Sequence, residues 1–257
     1  MRLEKETTKT EKIADKKAVI FDVDNTILDT HPVYEEAYTK LRNILMTDYG
    51  EDLGNSLCDD FLFDMYNPEG KYKGIIDMNF IITKFSESLI EKKLLEGRPE
   101  AIVAIEKPLR EIYKTVPQFL PGAKDLLKHL IENDIKVAFC THSGDWGELK
   151  VRWIWEEVGL LGEDPVYYSV PLNEEKDGSS YLKVVNMLDL KPQEVVVVGD
   201  NMKADIEAAL EIGVDTCVFY RYKVPGKTEF RNNENITVES NCIVYEKDFL
   251  EEIEELF

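Results

Sequence analysis

Basic residues are scarce in this chain: 31 Lys plus Arg face 51 Asp plus Glu, a formal charge of −20 over 257 residues. Such a field repels nucleic acid and anionic lipid, so neither is expected as a partner. It would also repel a small anionic substrate unless a local cation reversed it, so an anionic substrate implies a metal. Cysteine is sparse too. Residues 58, 140, 217 and 242 stand alone, with no CxxC or other ligand spacing. Cys140 and Cys217 lie inside apolar runs as small core residues, and a reduced, cytoplasmic setting is expected. No apolar run approaches the ~20 residues needed to span a bilayer. The opening stretch "MRLEKETTKTEKIADKK" lacks the apolar centre of a secretory signal, and residues 1–16 are expected to be flexible. Glutamine occurs only at 118 and 193 beside abundant Lys and Glu, a weak hint of a thermophile.

What is present is a core. Hydrophobic residues make up 44%, enough for one large domain or two modest ones. Apolar runs at 18–24, 135–145, 194–201 and 214–220, with a weaker one at 165–171, read as buried strands. Amphipathic segments fall between them. Residues 122–134 carry Leu126, Leu127, Leu130 and Ile131 on one stripe. Residues 179–190 follow the same rule, with Ser179 or Ser180 as the expected cap, and 203–213 should be a helix ending at Gly213. Strands that are apolar on both faces and alternate with helices predict an α/β fold, a Rossmann-like parallel sheet with helices on both faces.

One region breaks the rhythm. Between the first strand and Pro117 no strand pattern appears, while 33–45, 75–94 and 99–116 are helical in period, the last interrupted by Pro108 with a break or kink expected near Lys107. The expected organisation is therefore an α/β core from 17–31 and 117–257 and a helical insertion over 32–116.

Polar residues gather where the strands end. The first strand runs into "DVDNT", which places Asp22 and Asp24 two apart, on one side of an extended segment, with Thr26 following. Two adjacent carboxylates repel unless a cation or proton separates them. Thr141 follows the second strand, Lys176 precedes a helix, and "GDNMKAD" carries Asp200 and Asp205. In a parallel sheet these positions share one edge, where ligands bind. Three or four carboxylates there form a hard-oxygen site suited to Mg2+, and a lysine and a threonine can hold phosphate oxygens.

The set DxDxT, then an isolated Thr, a Lys and GDxxxxD, each at a strand end or helix start in this order, resembles the haloacid dehalogenase superfamily over about residues 17–220. The helical insertion after the first motif resembles its C1-capped branch, which includes many small-molecule phosphatases. The resemblance implies that Asp22 is nucleophile and Mg2+ ligand. Asp24 would protonate the leaving oxygen, activate water, and bind metal through its backbone carbonyl. Thr141 and Lys176 would bind phosphate, and Asp200 and Asp205 would bind metal, Asp205 directly or through a ligand. The dehalogenase branch lacks an acid at the position of Asp24, because departing halide needs no proton.

The implied activity is Mg2+-dependent hydrolysis of a small phosphorylated metabolite through an aspartyl-phosphate. A sugar-phosphate mutase on the same scaffold and a non-catalytic binding protein are the alternatives. Ser143 competes with Thr141 as the phosphate ligand and Lys183 with Lys176. His142 stands where relatives often carry Asn. His31, Trp146 and the basic stretch 221–231 are further candidates for substrate contact, each with a surface or packing reading beside it.

Overall fold

The computed structural model describes residues 15–67, 69–72, 77–95, 98–160, 162, 164–220, 243–247 and 253. The basic stretch 221–231, most of the expected flexible N-terminus, Cys242 and all but Ile253 of the C-terminal segment lie outside these. Among the described residues no helix is long and apolar enough to cross a membrane. The chain divides into two compact units, one from Met1–Asp29 with Gln118–Phe257 and one from Thr30–Pro117.

The first unit is built on a six-stranded parallel sheet. Its strands are β1 (Ala18–Phe21), β4 (Lys136–Thr141), β5 (Val166–Ser169), β6 (Val195–Gly199), β7 (Thr216–Tyr220) and β8 (Ile243–Lys247), in the order β5-β4-β1-β6-β7-β8. Alternation along each strand divides the core in two. Val19, Phe21, Val137, Phe139, Val196 and Val198 face helices α5 (Ala123–Glu132) and α6 (Asp145–Glu157). Ala18, Ile20, Ala138, Cys140, Val195 and Val197 face α7 (Gly178–Met187) and α8 (Ala208–Glu211). Both faces of the central strands β1, β6 and β7 are covered and these strands are buried along their whole length, as in a parallel sheet packed between helices.

The cap of α7 differs from expectation. Asp177 occupies it, accepting from Ser180 N at 3.2 Å and from Ser179 Oγ at 2.7 Å, while Ser180 completes the reciprocal box. A carboxylate accepts several donors at once, which a single hydroxyl does less well.

Three further features were not in the sequence pattern. β2 (Leu28–Asp29) and β3 (Gln118–Phe119) form a small antiparallel ribbon, too short for any periodicity to reveal. β8 is a further strand that pairs in parallel with β7. The third is the segment 202–211, which opens not as an α-helix but as a π-helical turn, Met202–Glu207, before α8.

The second unit consists of α1 (His31–Tyr49), α2 (Glu51–Tyr66), α3 (Met78–Glu91) and α4 (Pro99–Glu111), ending in a 3-10 turn at Ile112–Lys114. Its core joins Leu41, Leu45, Leu57, Phe61, Ile81, Phe85, Ile105 and Leu109. A side chain at Gly54 would lie 2.4 Å from the Met46 backbone, so glycine is what lets α1 and α2 cross so closely. Of the break or kink expected near Lys107, no break occurs: α4 runs on through Pro108. Pro108 sits inside α4, buried with Ile105 and Leu109, and the helix ends one turn later, so the proline disturbs a segment held by packing.

Candidate active site

Register assembles the site. β1 lies between β4 and β6, with Phe21 level with Phe139 on one side and Val198 on the other. One residue beyond Phe21 is Asp22, whose N–H still donates to Val198 O at 2.8 Å. Two residues beyond Phe139 is Thr141, and two beyond Val198 is Asp200. The chain reverses its direction of progress across the sheet at β1, the point where open α/β sheets carry their ligand crevice.

Asp22 is enclosed. Its Oδ1 accepts from Lys176 Nζ at 2.5 Å and its Oδ2 from Thr26 Oγ1 at 3.2 Å. Lys176 also contacts Asp205 Oδ1 at 2.6 Å, so one ammonium bridges two carboxylates, and its side chain is 3% exposed. Burial pushes the Asp22 carboxyl upward. Lys176 pulls it down, the negative charges of Asp205 and Asp24 push it up again, and the result is about 7. Burial lowers the Lys176 ammonium, but Asp205 and Asp22 outweigh it and raise the lysine instead.

Asp205 is held still more tightly. Its Oδ1 accepts from Tyr181 Oη at 2.8 Å and its Oδ2 from Asn201 N at 2.9 Å. The Tyr181 hydroxyl is raised well above its ordinary value by burial first and then by Asp205, so it stays a donor. The π-helical turn belongs to this arrangement: Asn201 O receives both Asp205 N at 2.9 Å and Ile206 N at 3.4 Å. Gly199 is required here, since a side chain on it would lie 2.3 Å from Asp205 Oδ2.

Asp24 points elsewhere. Its Oδ1 and Oδ2 accept from Lys150 Nζ at 2.6 and 2.8 Å, and Oδ2 also accepts from Ser143 Oγ at 2.8 Å. Asn25, next along, adopts φ +60°, a left-handed conformation that asparagine tolerates, and turns the chain toward β2. Thr141 is fully buried with its Oγ1 3.3 Å from Ser143 Oγ. Gly147 lets α6 approach them, because a side chain there would meet Ser169 Oγ at 2.2 Å and Thr141 Cγ2 at 2.7 Å.

The sequence reading did not single out Lys150. A signal existed: it falls on the buried stripe Gly147, Val151, Ile154 of α6, and a charge on a buried stripe needs a partner.

The competing candidates are placed as follows. Lys183 lies at the surface, 2.6 Å from Tyr168 Oη and 4.2 Å above its ring. His31 opens α1, with Nδ1 3.6 Å from Glu35. Trp153 stacks on Phe119 and Trp155 meets Phe139 edge-on, both packing roles, while Trp146 lies under Lys150 with 5.9 Å from Nζ to the ring centre. Among the described residues the buried Nε2 of His142 has no hydrogen-bond partner, and burial lowers the basicity of the imidazole.

Asp22, Asp200 and Asp205 each offer a carboxylate oxygen, all within 4.8 Å of one another. Four acids gather here, with Asp24, against two lysines, 150 and 176. Ionised, they leave an excess of two negative charges, and all the donors are hard oxygens. The residues therefore fit a divalent cation such as Mg2+.

Comparison with known proteins agrees with this architecture. The chain belongs to the haloacid dehalogenase-like hydrolase family, whose model matches residues 16–213. Among curated relatives, the phosphorylated carbohydrates phosphatase of Thermotoga maritima is 26% identical over 77% of this chain and 82% of its own. The glyceraldehyde 3-phosphate phosphatase of Methanopyrus kandleri is 27% identical over 86% of this chain and 90% of its own. In fold the chain is similar to a phosphatase of this family from Thermococcus onnurineus, with a TM-score of 0.60, 21% identity and coverage of 93% and 97%.

Proposed function

We propose that this hydrolase is a Mg2+-dependent phosphatase of small phosphorylated carbohydrates that works through an aspartyl-phosphate on Asp22. The observation that carries the reading is the grouping of Asp22, Asp200 and Asp205 around Lys176 at the sheet edge. The phosphatase names of the curated relatives support the substrate class and favour hydrolysis over return of the phosphate to a sugar.

Asp22 attacks phosphorus, and the bond from phosphorus to the leaving oxygen breaks as the new one forms. Asp24 gives its proton to that oxygen and then takes one from the water that cleaves the aspartyl-phosphate, so Asp22 is restored and inorganic phosphate leaves. Lys176 and the Thr141 hydroxyl hold phosphoryl oxygens. Mg2+, when held by Asp22, Asp200, the Asp24 backbone carbonyl and Asp205 directly or through a ligand, supplies positive charge that offsets the negative phosphoryl group. In this reading the helical unit 30–117 is the cap that selects substrates.

The test is release of phosphate from p-nitrophenyl phosphate and from a panel of sugar and triose phosphates, with and without Mg2+, by wild type and Asp22→Asn. Metal-dependent turnover should fall by on the order of 10⁴-fold or more in the variant. Turnover that survives Asp22→Asn would remove the nucleophile from this scheme. Dependence on a bisphosphate activator would instead identify a mutase.

A further inference from the structure

Lys150 has no counterpart among the motif residues, yet it is the better-buried member of an ion pair at the catalytic edge. Its side chain is 6% exposed, whereas that of Asp24 is 30% exposed. A lone ammonium is not kept at that depth without compensation. It donates to both oxygens of Asp24, at 2.6 and 2.8 Å, and lies 3.3 Å from Ser143 Oγ. Ser143 in turn donates to Asp24 Oδ2 at 2.8 Å and is 3.3 Å from Thr141 Oγ1. The two clamping groups differ in kind. An ammonium only donates, whereas a hydroxyl both donates and accepts, so Ser143 can hold Oδ2 whether or not that oxygen carries a proton.

We infer that Lys150, together with Ser143, is a positioning residue that fixes the Asp24 carboxyl group in the direction needed to pass its proton to the leaving oxygen. The inference rests on the phosphatase reading. Lys150 reaches the reaction only through Asp24. When the phosphoryl group moves to Asp22, the proton leaves an Asp24 oxygen and joins the departing alkoxide. A misdirected carboxyl loses this step, since proton transfer requires near-contact geometry. α6 supplies the rigidity: Lys150 sits mid-helix, two turns beyond Ser143, between buried Gly147 and Ile154.

The experiment compares kcat/KM for glycerol 3-phosphate or another turned-over alkyl phosphate with kcat/KM for p-nitrophenyl phosphate, in wild type, Lys150→Met, Lys150→Arg and Ser143→Ala. This parameter reports steps up to the first phosphoryl transfer, so later hydrolysis does not enter. An alkoxide needs the proton and a nitrophenolate hardly does. Lys150→Met should therefore lose about 100-fold on the alkyl phosphate and less than about tenfold on the aryl phosphate, a selectivity that mere loosening of the fold would not produce. Lys150→Arg, which keeps a bidentate donor, should recover much of the alkyl activity. Equal losses on both substrates, or none on either, would overturn the assignment. If Lys150→Met does not fold, Ser143→Ala decides: a loss confined to the alkyl phosphate supports the clamp, and equal losses refute it. A wild type that turns over neither class with Mg2+ present would remove the phosphatase reading and this role with it.

Discussion

The carboxyl groups of Asp22 and Asp24 are two residues apart in one loop and differ in almost every physical respect. That of Asp22 is 9% exposed and shares its lysine with a second buried acid, whereas that of Asp24 is 30% exposed and has a lysine to itself. Burial and neighbouring acids push Asp22 to about 7. Asp24 owes its orientation to groups on α6 and the turn before it. Identical residue types acquire distinct roles when the surroundings, not the side chains, are varied. Asp22 faces the ammonium of Lys176, and Asp24 is gripped by Lys150 and Ser143.

Removing each lysine sharpens the contrast most. Lys176→Met leaves two buried carboxylates facing each other and should cost about 3–5 kcal/mol by urea denaturation without added metal. Lys150→Met leaves one carboxylate that water can reach, and about 2 kcal/mol is expected. Equal costs would show that the two pockets are not as different as their exposures indicate. Gly199→Ala acts on the Asp22 side alone. Its Cβ would collide with Asp205, so a destabilisation of about 1–3 kcal/mol is expected. Weaker Mg2+ binding should accompany it, read as a smaller metal-induced rise in Tm. Asp177→Ala removes the cap of the helix that follows Lys176 and should cost about 1 kcal/mol.

The smallest effect concerns His142, between Thr141 and Ser143. Its half-buried imidazole resists protonation in the folded state, while the unfolded chain takes up the proton at the ordinary 6.5. The unfolded state then binds more protons, so stability from this group should fall as pH drops below 6.5 and be unaffected above it. His142→Asn should flatten that part of the stability profile. A profile unchanged by the substitution would mean that the imidazole protonates in place.

The centre of the parallel sheet was legible because β1, β6 and β7 are buried on both faces and so read as continuous apolar runs, Val195 to Val198 most plainly. The helical unit was legible in part. α2 was not, since "EDLGNSLCDDFLFDMY" carries a glycine and five acids that blur its period. Pro108 does not end α4, because local propensity is outweighed by the packing of Ile105 and Leu109. The π-helical turn at 202–207 was invisible because a one-residue change in hydrogen bonding leaves the amphipathic pattern of the segment almost intact.

By itself the sequence determined the chemistry available at the sheet edge. A strand that ends in Asp22 and Asp24, and a second that ends in Gly199 and Asp200, must deliver those groups to the same side once the strands run parallel. Tertiary structure alone decided which cation each acid meets. Lys150 is 126 residues from Asp24 and Lys176 is 154 from Asp22, and no local pattern encodes a partner at that distance. Only the packing of α6 and of the loop before α7 against the sheet brings those charges within hydrogen-bond reach, where desolvation makes each pairing count.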